Sequence, residues 1–186
     1  AEEQYVSRAG LKLASVAQAL KLDFQDAVVL DVGSSTGGFT DYALRHGAKR
    51  VIAVEVGRDQ LHPTLHGHPQ IELHEQTDIR DIQELSVPAD IVVIDVSFVS
   101  LRDILPHVVK LSAKRTKIVA MVKPQFEAAA SNQKHKGVIK NDTMRRGILK
   151  EFEAWAQGRF VILDKADSSV AGAKGNQERF YLLQKA

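Results

Sequence analysis

Apolar residues along the chain fall into short runs separated by polar segments. Runs at 27–31, 50–55, 71–74, 90–95, 117–122, 159–166 and 179–183 are rich in Val, Ile and Leu, and they predict seven β-strands. The runs at 91–94 and 117–122 are almost continuously apolar, as strands buried on both faces are. Between the runs, helical spacing predicts helices over 38–46, 58–65, 79–84, 101–110 and 142–158. Alternation of this kind points to an α/β fold, a mostly parallel sheet with helices on both faces. Only residues 167–178 join the last two runs, too few for a crossover helix, so the final strand should pair antiparallel. One further helix precedes the sheet. Ala9, Leu13, Val16, Ala17 and Leu20 share one of its faces, Ser7 can cap it, and Lys12 lies beside the stripe. Residues 125–141 have no periodicity and are read as a mobile loop following a strand end.

Composition narrows the picture. A chain of 186 residues, 44% apolar and 26% charged, suits a single globular domain. We expect residues 1–24 to hold the N-terminal helix carrying Lys12, and 25–186 the core. No apolar run reaches the length of a transmembrane helix, and no membrane partner is expected. The opening Ala-Glu-Glu-Gln-Tyr shows no signal peptide. The absence of cysteine excludes disulfides, thiolate metal ligands and cysteine nucleophiles, and it fits a cytoplasmic protein. A net charge of +2 does not by itself imply a polyanionic partner. Locally, Lys134, Lys136, Lys140, Arg145, Arg146 and Lys150, with His135, face the single acid Asp142 and form a candidate basic patch. Charge alone leaves a solvated helix face equally open.

The most informative segment is Val28-Val-Leu-Asp-Val-Gly-Ser-Ser-Thr-Gly-Gly-Phe-Thr. Asp31 ends a strand, and Gly33, Gly37 and Gly38 let the following turn approach a ligand closely. Ligands of open α/β sheets bind outside the carboxyl ends of the strands. The spacing matches neither the G-x-G-x-x-G fingerprint nor the phosphate loop G-x-x-x-x-G-K-[ST], which weakens a nucleotide-dependent oxidoreductase reading. An acidic strand end before a loose glycine turn suits a ligand with a cationic amino-acid moiety. It resembles the cofactor loop of an S-adenosylmethionine (SAM) methyltransferase. Asp31, Glu55, Asp78 and Asp95 then stand at or just after four successive strand ends. Glu55 can accept ribose hydroxyls. Asp78 can accept from an adenine amino group, or else cap the next helix.

Lys123 follows a buried strand and precedes Pro124, which biases it to an extended backbone and should keep a helix from starting there. A lysine acts as a general base only when desolvation or a neighbouring cation lowers its pKa, and Lys12 is the candidate neighbour. The alternative is an ion pair between Lys123 and Asp95. His62, His66 and His68 cluster without ligand-type spacing, so no metal site is predicted. Trp155 lies on the apolar stripe of its helix, a core position.

Five segments in order, Tyr5-Val-Ser-Arg-Ala-Gly-Leu-Lys-Leu, Asp31-Val-Gly-Ser-Ser-Thr-Gly-Gly-Phe-Thr-Asp, Asp95-Val-Ser-Phe-Val-Ser-Leu, Val122-Lys-Pro-Gln-Phe-Glu and Gly175-Asn-Gln-Glu, resemble the TlyA (hemolysin A-like) family of FtsJ-like ribosomal RNA 2′-O-methyltransferases. The resemblance implies a Rossmann-like SAM-dependent fold, with a seven-stranded, mostly parallel sheet and an antiparallel last strand. It implies methyl transfer to a ribose 2′-hydroxyl, of cytidine, in ribosomal RNA or ribosomal subunits. The family's Lys-Asp-Lys-Glu tetrad carries over to Lys12, Asp95, Lys123 and Glu178. Cofactor positions carry over to Asp31, Gly33, Ser34, Thr36, Gly37, Gly38, Glu55, Asp78 and Asp95. Asp is common in the family where Glu55 stands, and Asn where Asp78 stands; both keep an oxygen acceptor. Family members usually carry a small S4 RNA-binding domain ahead of this region. A non-catalytic RNA-binding module or hemolysin-like protein is the alternative, but a pure binding protein has no need of two lysines beside a cofactor pocket.

Overall fold

Strands β1 (Val28–Val32), β2 (Arg50–Val54), β3 (Ile71–His74), β4 (Ile91–Ile94), β5 (Lys117–Val122), β6 (Phe160–Asp167) and β7 (Arg179–Lys185) build one sheet, in the order β3-β2-β1-β4-β5-β7-β6. This computed structural model describes residues 4–129, 139, 141–172 and 175–186. The first five strands are parallel, and β7 runs antiparallel between β5 and β6, as the short last connection requires. Helices are α1 (Arg8–Ala17), α2 (Gly38–Arg45), α3 (Leu101–Leu111), α4 (Pro124–Glu127) and α5 (Asp142–Gln157).

Period-2 alternation sorts the strands into two cores. Val29, Val51, Val93 and Val119 pack with Leu13, Val16 and Phe39 of α1 and α2. Leu30, Ile52, Val92 and Ile118 pack with Leu105 and Phe152 of α3 and α5. Phe39 and Phe152 are nearly fully buried, each worth about 1.5–3 kcal/mol of hydrophobic stabilisation. Trp155 is partly buried against the second core, as its stripe predicts. The order β2-β1-β4 makes β1 and β4 the point where the winding reverses, and the backbone N–H of Asp95 donates to the Val32 carbonyl across it at 3.0 Å. A crevice at that reversal is where this topology binds ligands. No helix among the described residues is long and apolar enough to cross a membrane.

Several predicted elements differ. The helix over 58–65 shrinks to a 3₁₀ turn, Pro63–Leu65, because Asp59 adopts a left-handed φ of 52° and His62 caps the turn through Thr64 N–H. The helix over 79–84 shrinks to a 3₁₀ turn, Ile79–Asp81, closed by an extended Ile82. Pro124 does not keep a helix from starting: it begins the single turn α4. Its fixed φ suits the first helical position, whose N–H has no intrahelical partner in any case. Ser7 occupies the cap position of α1, but its side chain accepts no capping hydrogen bond. Of the loop read over 125–141, only residues 125–129, 139 and 141 are described, and Lys134, His135, Lys136 and Lys140 lie outside the described residues. Within the basic patch, Arg145 is interior: it donates to Asp167 and to the Gln177 carbonyl, which removes it from the phosphate-binding set. Arg146 and Lys150 are exposed.

Candidate active site

The turn after β1 is built against its neighbours. Gly33 (φ 80°) and Ser34 donate backbone N–H groups to the Val54 carbonyl, joining the turn to the end of β2. A Cβ on Gly33 would lie 2.2 Å from the Asp95 carbonyl oxygen, so only glycine lets the β1 and β4 ends approach this closely. The space beside Gly37 and Gly38 is taken up by neighbouring segments of the chain. A Cβ on Gly37 would meet Leu61 and Leu65, and one on Gly38 would meet Ser7 and Gly10 of the α1 start. Both glycines make room for neighbouring parts of the chain.

Around Gly33, Ser35 and Asp95 the crevice divides into two connected lobes. The smaller, about 200 Å³, is lined by Ser7, Lys12, Asp31, Ser34, Thr36 and Asp95, among others. The larger, about 470 Å³, is lined by Glu55, Val56, Asp78, Ile79, Asp95 and Phe98, among others. Two further cavities lie near the β3 edge and contain none of the expected site residues.

Asp31 is fully buried at the end of β1. Its Oδ2 accepts a hydrogen bond from Thr40 Oγ1 at 2.7 Å, while Oδ1 is buried with no hydrogen-bond partner among the described residues. Burial pushes the carboxyl up to about 7, and the nearby Asp95 and Glu55 charges add to this while the Thr40 hydroxyl opposes it. Ser34 Oγ is likewise buried without a partner. Two orphaned polar atoms at one small lobe suit a ligand that carries both a cation and an anion. Glu55 is fixed by backbone: Oε1 accepts from Ser35 N–H at 2.8 Å and Oε2 from Gly57 N–H at 2.7 Å. A carboxylate offers about four acceptor sites, so Glu55 keeps capacity for a diol. Asp78 caps the turn Ile79–Asp81 through Arg80 N–H and takes the Arg80 guanidinium on both oxygens. That hydrogen bond holds its carboxyl below the usual range. The capping arrangement named above as the alternative for Asp78 is therefore present, and it leaves Asp78 on the larger lobe beside Arg80.

The four tetrad residues come together as two ion pairs. Lys123 Nζ lies 2.5 Å from Asp95 Oδ1 and donates to Ser97 Oγ at 3.0 Å. Lys12 Nζ lies 2.8 Å from Glu178 Oε1. The pair between Lys123 and Asp95 is thus real, and Lys12 has its own acid. Asp95 and Lys12 line the smaller lobe, and Lys123 and Glu178 are their ion-pair partners. Glu178 is 1% exposed, and a Cβ on Gly172 would sit 2.5 Å from its carboxylate, so a larger residue there would have to displace the Glu178 side chain.

Pattern reading missed three contributors. Thr40 holds Asp31, but a threonine inside a helix carries no signal of its own. Gly172 shapes the Glu178 seat and is invisible without the fold. Phe98 had a signal, since it stands within the Asp95 motif: it is 90% exposed with φ 63°, a left-handed conformation costly for a bulky residue, and its ring lies 5.0 Å from that of Phe126.

Comparison with known proteins agrees with this geometry. The family profile described as FtsJ-like methyltransferase matches residues 5–185. YqxC of Bacillus subtilis (strain 168), which bears an rRNA methyltransferase name, is 36% identical over 183 residues, covering 94% of this chain and 64% of that protein. The 23S rRNA (cytidine-2′-O)-methyltransferase TlyA of Campylobacter jejuni is 38% identical over 184 residues, covering 96% and 70%. A solved structure with a hemolysin name, from Streptococcus thermophilus, is 35% identical with a TM-score of 0.93, covering 100% of this chain and 69% of that one. The chain therefore spans about two thirds of the length of the curated relatives it matches. A match across residues 5–185, with relatives 36% and 38% identical, means that the chain belongs to the FtsJ-like methyltransferase family.

Proposed function

We propose that this protein methylates a ribose 2′-hydroxyl of ribosomal RNA, on cytidine, with SAM as the donor. The observation that carries the reading is the placement of the Lys123–Asp95 pair: Asp95 lines both lobes of the cleft, and the Lys123 amine, partly exposed, is paired with it. The names of the rRNA methyltransferase relatives support RNA as the substrate.

The donor set fits SAM. Asp31 Oδ1 and Ser34 Oγ, orphaned at the smaller lobe, would hold the ammonium and carboxylate ends. Glu55 would hold the ribose diol, and Asp78, with Ile79 and Val56, the adenine. When bound, SAM supplies a sulfonium-activated methyl group. Lys123, in its neutral form, takes the proton of the ribose hydroxyl, so that the oxygen can act as nucleophile and the proton ends on Nζ. Asp95 and Ser97 hold the Lys123 amine in place, as their contacts with it imply. Glu178 fixes Lys12 at the cleft wall, on the lobe that Asp95 also lines. Phe98 offers an exposed ring at the mouth on which the base of the target nucleotide stacks. Holding the hydroxyl in line supplies most of the acceleration, and general-base help adds on the order of 10²- to 10⁴-fold.

The test is transfer of labelled methyl from SAM to ribosomal RNA, offered naked and as isolated subunits, with Lys123→Ala as control. Label on a 2′-oxygen of cytidine, lost in the variant, is expected. Failure of both substrates while calorimetry shows SAM bound would return the chain to the non-catalytic RNA-binding reading.

A further inference from the structure

Two loops carry the Lys123–Asp95 pair, and the sheet stops before either of them. The β4–β5 ladder ends at the Ile94–Ala120 pairing, so past that point backbone pairing no longer sets the spacing between the loops. Residues 95–100 include no helix or strand, and they contain the left-handed Phe98. The residues after Val122 form only the single turn α4. Backbone still holds the start of each loop, Asp95 through its N–H to the Val32 carbonyl and Lys123 through Val122, which pairs with Arg179. Beyond these two residues, side chains must set how the loops stand to one another and so how the Asp95 and Lys123 side chains meet.

At the far end of both loops lies Glu127, 1% exposed. Its Oε1 accepts from Ser100 Oγ at 2.7 Å and from Arg102 Nη1 at 2.9 Å, and its Oε2 accepts from the backbone N–H of Leu101 at 2.9 Å. Ser100 is the N-cap of α3, and its Oγ also accepts from Arg102 N–H at 3.1 Å. The carboxylate thus meets the N-terminal turn of α3, where free backbone N–H groups and the helix dipole favour a negative charge. The Arg102 guanidinium continues the chain, lying 5.8 Å from the ring centres of both Phe152 and Trp155 on α5. Asp103, one residue further, is the opposing charge nearby.

A buried carboxylate is an expensive way to join two segments, and apolar replacements of such groups are often neutral or stabilising. What a carboxylate with three donors adds is direction: it fixes the turn of α4 against the start of α3 at one distance and angle. Glu127 lies four residues after Lys123, and Ser100 five after Asp95. We propose that Glu127 is a positioning residue that sets the separation of Asp95 and Lys123 by latching α4 to the N-terminus of α3. This rests on the reading of Lys123 as the base. No role was visible for Glu127 in the sequence, where it closes a quoted motif without a signal of its own.

Two variants test the latch. Glu127→Gln keeps the shape but turns an amide N–H toward the Leu101 N–H, so one donor is left without an acceptor. Ser100→Ala removes a single hydrogen bond and is the milder change. For Glu127→Gln we expect kcat to fall at least about tenfold, with KM for RNA and Kd for SAM within about twofold of the parent. Ser100→Ala should shift kcat in the same direction by about two- to fivefold. In protein carrying isotope-labelled lysine, with Lys123→Arg to assign the signal, the Lys123 titration should move to lower pH in Glu127→Gln. That direction follows because an acid that drifts away no longer favours the ammonium form; kcat falls all the same, because the displaced amine no longer meets the hydroxyl in line. A structural role alone would lower the melting temperature and the active fraction but leave that titration in place. An unmoved Lys123 titration with unchanged kcat in both variants overturns the proposal. If the parent transfers no methyl at all, the base reading fails by itself, and the lysine titration still decides the latch.

Discussion

The cofactor side of the cleft and the tetrad side draw on the chain very differently. Asp31, Gly33, Ser34 and Thr36 come from one turn at positions 31–36, completed by Glu55 from the neighbouring strand end. Lys12, Asp95, Lys123 and Glu178 come from α1, the ends of β4 and β5, and the residue before β7. The first side is held mainly by backbone: Gly33 and Ser34 N–H groups on Val54, and Glu55 on Ser35 and Gly57 N–H groups. The second is held by side chains in two ion pairs. Backbone hydrogen bonds of a turn tolerate exchange of neighbouring side chains, whereas an ion pair depends on both of its members. Substitutions should therefore divide cleanly into those that change cofactor affinity and those that change turnover.

Lys123→Ala is the sharpest check on that division. Turnover should drop on the order of 10²- to 10⁴-fold, with SAM affinity, read by calorimetry, within about twofold of the parent. A large loss of affinity would mean that the two sides are not separable. Gly33→Ala is expected to cross the division, because its Cβ would strike the Asp95 carbonyl at 2.2 Å and its φ is 80°. Strain of roughly 1–3 kcal/mol should weaken SAM binding and turnover together and lower the melting temperature. An effect on affinity alone would show that the β4 end yields without disturbing Asp95. Gly172→Ala acts at the other end of the tetrad, pressing on the Glu178 carboxylate. Turnover should fall roughly 10- to 100-fold with SAM affinity unchanged, and unchanged turnover would remove Glu178 from any positioning role.

The smallest expected effect is on pH dependence, through Asp31. Its folded pKa is raised from 3.8 to about 7 by burial. A raised acid contributes stability that is fully present below its unfolded pKa and is lost as pH rises through the folded value, here between about pH 4 and about pH 7. Without SAM, Asp31→Asn should therefore be more stable than the parent at pH 8, on the order of 2–4 kcal/mol at most. A cationic ligand favours ionised Asp31, so SAM affinity of the parent should weaken as pH falls below about 7. In Asp31→Asn that dependence should flatten and affinity should fall about tenfold or more. Equal melting temperatures for the two proteins from pH 5 to pH 8 would contradict the buried, unpaired state of Oδ1.

Legibility in the sequence follows the same line. The α/β class, the seven strands and the reversed last strand all come from runs and connections of a few residues, where hydrophobic period and loop length decide the outcome. The Asp31 turn was legible because its chemistry is contiguous. Asp95 and Lys123 were legible as strand-end residues and Lys12 as a candidate neighbour. Glu178 was legible only through resemblance, since nothing local in Lys12 or Glu178 says that they meet across 166 positions. The short helices over 58–65 and 79–84 were misread because a few apolar residues mimic a helical period, while Asp59, His62 and Asp78 favour turns.

By itself, then, the chain determined what each segment could become: which runs are strands, which faces are apolar, and where a glycine turn follows an acid. These are properties of neighbours within one or two turns of backbone. The tertiary structure alone decided that Arg145 is interior, that each lysine has its own acid, that Gly172 makes room for Glu178, and that Glu127 joins α4 to α3. The reason is physical: burial and charge pairing depend on which distant groups share a volume, and only the packed sheet brings those groups together.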